Sequence, residues 1–485
     1  MGVREYIGAR YTIKVYENSL DQSSCEWEAG VAYEPITMVT YNNSSYLSKK
    51  AVPAAVGDPA SNPEYWIVTG AYNGQILDLQ TRVKTLEDLS VDTIDDLKDL
   101  DINSGIVYVR SYYTSPIDGG GYYSISVTGE SYDILLDNGY YAHLLNEGFV
   151  TAEQFGALAD NSTDNTAAVQ AADDYCEATG ASLVFRGTGT YLFNDTINKS
   201  PYTSWYGSLS GVPTNNPATN KRAKLKYTGS GTFISFTTDT TIYAQSVIEN
   251  ISIEGIQPFN SGSIGIKYNG YIREHIYHNV SIRFFETGFS GNGAEYTFDN
   301  CYVWYCKYNM YFAVCSDSWF KECHFGSGLN VHSSCSGGVG LRVESGSNLT
   351  FMYCRPQTQL GGNGAVINGV SNVKFIGCTI DGNENIGLQF VNCDRVIVED
   401  CEFHGNKRNM YFLASTSITG VIIGANHVYG INDSDYAIEI AGSGTMDRLV
   451  IHDNVFNNLA HYPTVPSDVT TVRVANNVGM SDVNR

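Results

Sequence analysis

Between residues 248 and 479 the chain repeats one short pattern of apolar and polar positions. An apolar residue is followed after two positions by Cys, Asn or an aliphatic residue, then by one polar and one apolar residue. The copies read Ile248/Ile251/Ile253, Tyr277/Val280/Ile282, Phe298/Cys301/Val303, Phe320/Cys323/Phe325, Phe351/Cys354/Pro356, Phe375/Cys378/Ile380 and Val398/Cys401/Phe403. Weaker copies are Ile423/Asn426/Val428, Ile451/Asn454/Phe456 and Val474/Asn477/Gly479. A second apolar segment recurs between them: Met310–Phe312, Leu341–Val343, Leu388–Phe390, Met410–Phe412 and Ile438–Ile440. The alternation marks strands with one buried face. A period of about 25 residues, with several short strands and no long amphipathic segment, predicts the coils of a parallel β-helix. Like residues then stack about 4.8 Å apart, and ten copies make a rod roughly 45 Å long. Segments 181–185, 190–193, 224–227 and 233–236 read as earlier coils.

This register places Cys301, Cys323, Cys354, Cys378 and Cys401 in one inward column. Their Cβ atoms would sit about 4.8 Å apart, beyond the roughly 3.5–4.5 Å of a disulfide. A ladder of buried free thiols is therefore expected, each acting as a small hydrophobe. The remaining cysteines, of 11 in all, show no C-x-x-C pair and no zinc spacing.

The chain has 485 residues and a net charge of −22, with 43% hydrophobic and 16% charged residues. Global disorder is excluded. No stretch approaches the roughly 18 apolar residues of a membrane span, so membrane insertion is not expected. The acidic balance and the lack of a basic patch argue against nucleic-acid binding. The start, Met1 to Ile7, lacks the apolar run of a signal peptide, so secretion by that route is not expected.

Four regions are expected. Residues 1–72 form a small aromatic-rich β module. Residues 73–103 form a helical neck, in which Ile76, Leu79, Val83 and Leu86 step like a short coiled-coil seam and Thr93 with Asp96 makes a capping box. Residues 104–150 form a small β connector in which Gly119, Gly120 and Gly121 mark a tight bend. Residues 151–485 form the β-helix with an N-terminal capping helix, which Asp164 or Thr163 would cap. The aromatics of the first module read mainly as its own core, with sugar stacking by Trp27 or Trp66 as the alternative.

The spacing of Trp27, Gly30, Tyr33, Val39, Tyr41, Tyr46 and Trp66 resembles small chitin-binding-type carbohydrate modules. Tyr6 to Arg10 and Tyr33 to Tyr41 are similar to the N-termini of phage tail and appendage proteins. From Thr93 onward the resemblance is more specific. Phe155-Gly156-Ala157, Asp160, Asp164 and Thr166 resemble the opening motif of the pectate-lyase-like β-helix of phage tailspikes and preneck appendages. Asn161 and Asn165 stand where Gly and Asp are usual. The resemblance implies an all-β, right-handed parallel β-helix of the pectin-lyase-like kind. It implies a homotrimer in the virion, made in the bacterial host cytoplasm and joined to tail or collar proteins through its N-terminal module. It also implies binding to a host surface polysaccharide during adsorption, which many such spikes cleave. No C-terminal trimerising domain is visible after the tenth copy, so trimerisation is expected to rest on the neck and the rod faces.

The resemblance carries over no catalytic motif, and no polygalacturonase signature or calcium-binding carboxylate cluster is present; no metal or cofactor is expected. The register itself supplies candidates. One outward column reads His324, Arg355, Thr379, Glu402, His427, and the next reads Gln357, Asp381, His404, Tyr429. Asp381 and Glu402 come about 8 Å apart at Cα, a separation compatible with the paired carboxyls of an inverting glycosidase. The candidate catalytic residues are Asp381, Glu402 and His404. Arg355 and His427 would contact the sugar, Arg355 through its planar fork. Tyr302 and Trp304, expected to point outward among Tyr296, Tyr305, Tyr308, Tyr311 and Trp319, would stack on sugar rings or fill a subunit interface. Three readings stay open: a polysaccharide hydrolase or lyase, a binding-only spike, and a secreted bacterial lyase or hydrolase.

Overall fold

The structure, a computed structural model, describes residues 3–7, 12–16, 18, 24–42, 44–70, 90–207, 222–238, 241–326, 333–357, 359–430, 436–461, 463, 465, 467, 469–479 and 483–484. The chain divides into two compact units, Met1–Val91 and Asp92–Arg485. The seam residues Ile76, Leu79, Val83 and Leu86 lie outside the described residues.

The first unit is a five-stranded sheet of Val3–Ile7, Thr12–Tyr16, Thr37–Tyr41, Ser44–Ser48 and Trp66–Gly70, paired in chain order. Its core is Tyr16, Tyr33, Val39, Tyr46, Val52 and Trp66. Tyr33 meets Tyr16 and Trp66 edge-on at 5.0 and 5.3 Å. A module this small fills its interior with a few large rings. Trp66 is therefore core rather than a stacking platform, and Trp27 is half-buried, edge-on to Tyr41.

In the second unit, the helix Ile94–Lys98 starts with the capping box expected from its sequence: Thr93 Oγ1 accepts from Asp96 N–H, and Thr93 N–H donates to the Asp96 carboxylate. An antiparallel sheet of Gly105–Ser111, Gly119–Ser126, Tyr141–Leu144 and Ile134–Leu135 follows. The three glycines lie in its second strand rather than in a bend. A Cβ would strike the Glu153 carbonyl from Gly119 and the Arg110 carbonyl from Gly120, so close approach of backbones explains them.

Helix Thr166–Thr179 buries Val169, Ala172, Tyr175 and Cys176. Its N-cap is Asn165, not Asp164 or Thr163. The Asn165 amide is occupied in tying the preceding loop, accepting from Leu158 N–H and donating to the Leu158 and Leu192 carbonyls. Asp164 instead accepts from Thr166 N–H at 3.1 Å.

The solenoid consists of a 23-stranded sheet and a 12-stranded sheet. The narrower one stacks, among others, Ile251–Glu254, Ser281–Arg283, Tyr302–Trp304, His324–Gly326, Arg355–Gln357, Thr379–Asp381, Glu402–His404, His427–Tyr429 and Val455–Asn457, each parallel to the next. The chain enters it through a single left-handed residue in coil after coil: Asn300, Glu322, Tyr353, Gly377, Asp400, Ala425, Asp453 and Asn476. One such residue turns the backbone sharply enough to join two sheets.

The next residue in each coil enters an inward ladder. Cys301, Cys323, Cys354, Cys378 and Cys401 are free and buried. Each thiol donates to the carbonyl of the stacked residue one coil earlier: Tyr277, Phe298, Phe320, Phe351 and Phe375, at 3.3–3.5 Å. Asn426, Asn454 and Asn477 continue the column with the same bond, to Val398, Ile423 and Ile451. Beside the ladder, Phe298, Phe320, Phe351 and Phe375 stack with centroids 5.0, 4.6 and 4.5 Å apart.

Candidate functional site

The outer face of the 12-stranded sheet carries two columns. Pairing sets Tyr302 beside His324 and His324 beside Arg355, then Thr379 beside Glu402 and Glu402 beside His427. The second column runs Trp304, Gly326, Gln357, Asp381, His404, Tyr429. Strand alternation turns these residues outward because Val303, Phe325, Ile380, Phe403 and Val428 between them fill the core.

The columns have a charged end and an aromatic end. At the charged end, His404 Nδ1 lies 2.8 Å from Asp381 Oδ1, across adjacent strands. Both side chains remain about one-third exposed. Glu402 is exposed, one coil and two residues from Asp381. His427 and Tyr429 follow in the next coil, with their polar atoms 3.5 Å apart. Arg355 is exposed one coil before Thr379. The wall therefore presents two carboxyls, two imidazoles, a guanidinium and a phenol to solvent.

Tyr302 and Trp304 stand three strand spacings before Asp381, about 14 Å away, so the structure does not bring them to the carboxylates. Tyr302 stacks on His324 at 4.2 Å. Burial and the neighbouring Arg355 charge push the His324 imidazole down to about 4, so it is neutral at pH 7. The expectation of an outward Trp304 face requires correction. Trp304 occupies the outer column, but it is only 8% exposed, packed among Tyr302, Tyr305 and His324. Tyr296 is fully buried against Tyr268 and Phe298. Trp319 is 54% exposed but lies in the other sheet. The expected single aromatic patch is thus three separate environments.

Two features escaped sequence reasoning. The Asp381–His404 contact depends on rotamers. Phe284, at the corner beyond Arg283, belongs to no motif; its one signal was that later coils carry glycine at the same place, Gly382 and Gly405. Among the described residues, no group of three or more His, Cys, Asp or Glu could hold a metal ion. No described helix is long and apolar enough to cross a membrane.

Two family models match the chain: the right-handed β-helix region over residues 287–478, and the rhamnogalacturonase A/epimerase, pectate-lyase-like family over residues 149–293. The protein is an all-β right-handed parallel β-helix. Its neighbours among solved structures include phage tailspike proteins. One is the enzymatically active domain of tailspike protein 2 of bacteriophage CBA120, at 16% identity and a TM-score of 0.50, with 79% of this chain and 56% of that one covered. Another is tailspike protein gp49 of Acinetobacter baumannii bacteriophage Fri1, a capsular polysaccharide depolymerase, at 15% identity and a TM-score of 0.50, with 82% and 76% covered. The chain thus spans little more than half the length of the first. At these identities the likeness is one of fold. The search of curated proteins returned no match.

Proposed function

We propose that this chain is the subunit of a phage tail spike that binds a host surface polysaccharide and hydrolyses it on the outer wall of the solenoid. The observation that carries the reading is the Asp381–His404 pair, with Glu402 diagonal to it on a solvent-facing surface. The imidazole N–H of His404 holds one Asp381 oxygen and leaves the other to draw a proton from water. That water attacks the anomeric carbon while Glu402 gives its proton to the departing glycosidic oxygen. Arg355 supplies a fork for an anionic sugar, and His427 and Tyr302 offer further contacts along the wall.

The virion location, the homotrimer and attachment through the N-terminal unit belong to the same proposal. The rod supports self-association on its other sheet. There Ile397, Ile422 and Val450 stack outward over three coils, between Lys374 and Arg473, and Met352 and Ile376 stack in the neighbouring column before Glu399. An outward apolar patch with charged residues at its margins, on a chain of net charge −22, fits an interface with an apolar centre and a polar rim.

A binding-only spike is favoured by one observation. His278 with Glu249, and His452 with Asp453, make similar pairs elsewhere on the solenoid, at 3.2 and 2.9 Å. Incubation of the purified protein with purified capsular polysaccharides and O-antigens, followed by size-exclusion chromatography and mass spectrometry, decides between the two. Short products that have gained water support hydrolysis; products with an unsaturated end would replace it by a lyase; intact polymer co-eluting with protein would leave binding alone.

A further inference from the structure

The corner that enters the 12-stranded sheet uses one left-handed residue per coil. Asn300, Glu322, Gly377, Asp400 and Ala425 fill it with φ between 51° and 62°, and among them stands Tyr353 with φ of 54°. A bulky ring is poorly suited to the left-handed region, and no other coil from Asn300 to Asn476 places one at this corner. The turn does not require the ring.

Tyr353 is 55% exposed. Among the described residues no other ring packs on it and no cation lies over it. Its Cδ1 and Cε1 lie 2.6 and 2.5 Å from the place a Cβ at Gly377 would take, so the ring leans over the next coil at a position that only glycine leaves free. Two residues beyond this column the chain reaches the outer wall: Tyr353 precedes Arg355, Gly377 precedes Thr379 and Asp400 precedes Glu402. The ring therefore borders the wall one coil, about 5 Å, from that of Asp381 and two coils, about 10 Å, from that of Glu402. It faces open solvent, so no cavity limits what it can receive. Its corner column holds exposed carboxylates on either side, Glu322 before it and Asp400 after Gly377. The centre of a protein interface is depleted of charge, so this ring is poorly placed to anchor a second copy. The same surroundings suit a pyranose, whose apolar C–H face can lie on the ring while its hydroxyls donate to the carboxylates. An acidic sugar would meet two like charges there.

We propose that Tyr353 is the platform of a sugar subsite at the edge of the Asp381–Glu402 wall, and that the unit it stacks is an uncharged pyranose of the polysaccharide. This rests on the polysaccharide reading above. It divides the recognition between two neighbouring groups: Arg355 takes an acidic unit and Tyr353 a neutral one, so the preferred ligand is a polymer containing both.

Full-length Tyr353→Gly deletes the ring and suits the left-handed backbone, and Tyr353→Phe keeps the ring. Both are compared with wild type on an array of purified bacterial capsular polysaccharides and O-antigens, with particle mass measured by light scattering. For a glycan that wild type binds, Tyr353→Gly is expected to bind about tenfold more weakly, the scale of one lost aromatic contact. Tyr353→Phe is expected to bind as wild type does, and both variants to keep the wild-type mass. Unchanged affinity in Tyr353→Gly, or an equal loss in Tyr353→Phe, overturns the stacking subsite and leaves the functional reading standing. A fall in mass in Tyr353→Gly assigns the ring to contact between copies and overturns the subsite as well. A loss confined to polymers built wholly of acidic sugars overturns the uncharged unit. Failure of wild type to bind any glycan overturns the functional reading itself, and the subsite with it.

Discussion

Replacing Asn426 by alanine removes the first asparagine of the inward ladder, a side chain with no exposed surface. Its Oδ1 accepts from Cys401 N–H at 2.9 Å, and its Nδ2 donates to the Val398 carbonyl at 2.9 Å and to Asn454 Oδ1 at 2.8 Å. Asn454 Oδ1 keeps a second donor, the Asn426 N–H. The change therefore strands two buried backbone groups, Cys401 N–H and Val398 C=O. At about 1–3 kcal/mol for each, Asn426→Ala is expected to destabilise by about 2–6 kcal/mol, before any cavity. Asn426→Cys provides the control. In the earlier coils a thiol accepts from the preceding N–H, as Cys401 Sγ does from Cys378 at 3.4 Å, and donates to the preceding carbonyl, as to Phe375. Cysteine at 426 restores both roles with weaker bonds, so its loss is expected to be about 1 kcal/mol. Urea unfolding followed by tryptophan fluorescence, with parallel thermal melts, reads the difference. Equal destabilisation by Ala and Cys would refute the claim that the ladder acts through these hydrogen bonds.

Other consequences concern the wall, the corner and pH. Asp381→Asn and Glu402→Gln are each expected to lower polysaccharide cleavage by about 10²–10⁴-fold while glycan binding persists, measured by reducing-end release and by array binding. Ala425 holds a left-handed φ of 55°, so Ala425→Gly is expected to raise stability by up to about 1 kcal/mol, seen as a higher urea midpoint. Ile397→Glu together with Ile422→Glu places charge on the apolar strip and is expected to convert a trimer to monomers by light scattering; an unchanged mass would remove that face as the interface. Burial, with the Lys199 charge, pushes the His275 imidazole down to about 3. It is neutral when folded and takes up a proton on unfolding below about 6.5, so stability is full above that pH and falls as pH drops toward 3. The loss is on the order of 2 kcal/mol at pH 5, and His275→Gln is expected to flatten that part of the urea-midpoint profile.

The amino-acid sequence by itself determined the solenoid. A buried parallel stack requires like residues at like positions, so the coil period, the inward cysteine and asparagine column and the outward columns bearing Arg355, Asp381, Glu402 and His404 were legible from spacing alone. Cap details were less legible, because Asn165 and Asp164 could each bond the helix start and only the surrounding loop selects one. Alternation tells which side of a strand a residue leaves from, and it is silent on what covers that side. Trp304 leaves outward and is buried, whereas Tyr296, expected to be exposed, lies in the core. The tertiary structure alone decided that His404 reaches Asp381 and that Phe284 and Tyr305 stack on each other at a corner other coils make with glycine. Both depend on side-chain directions across neighbouring coils, which a one-dimensional pattern does not encode.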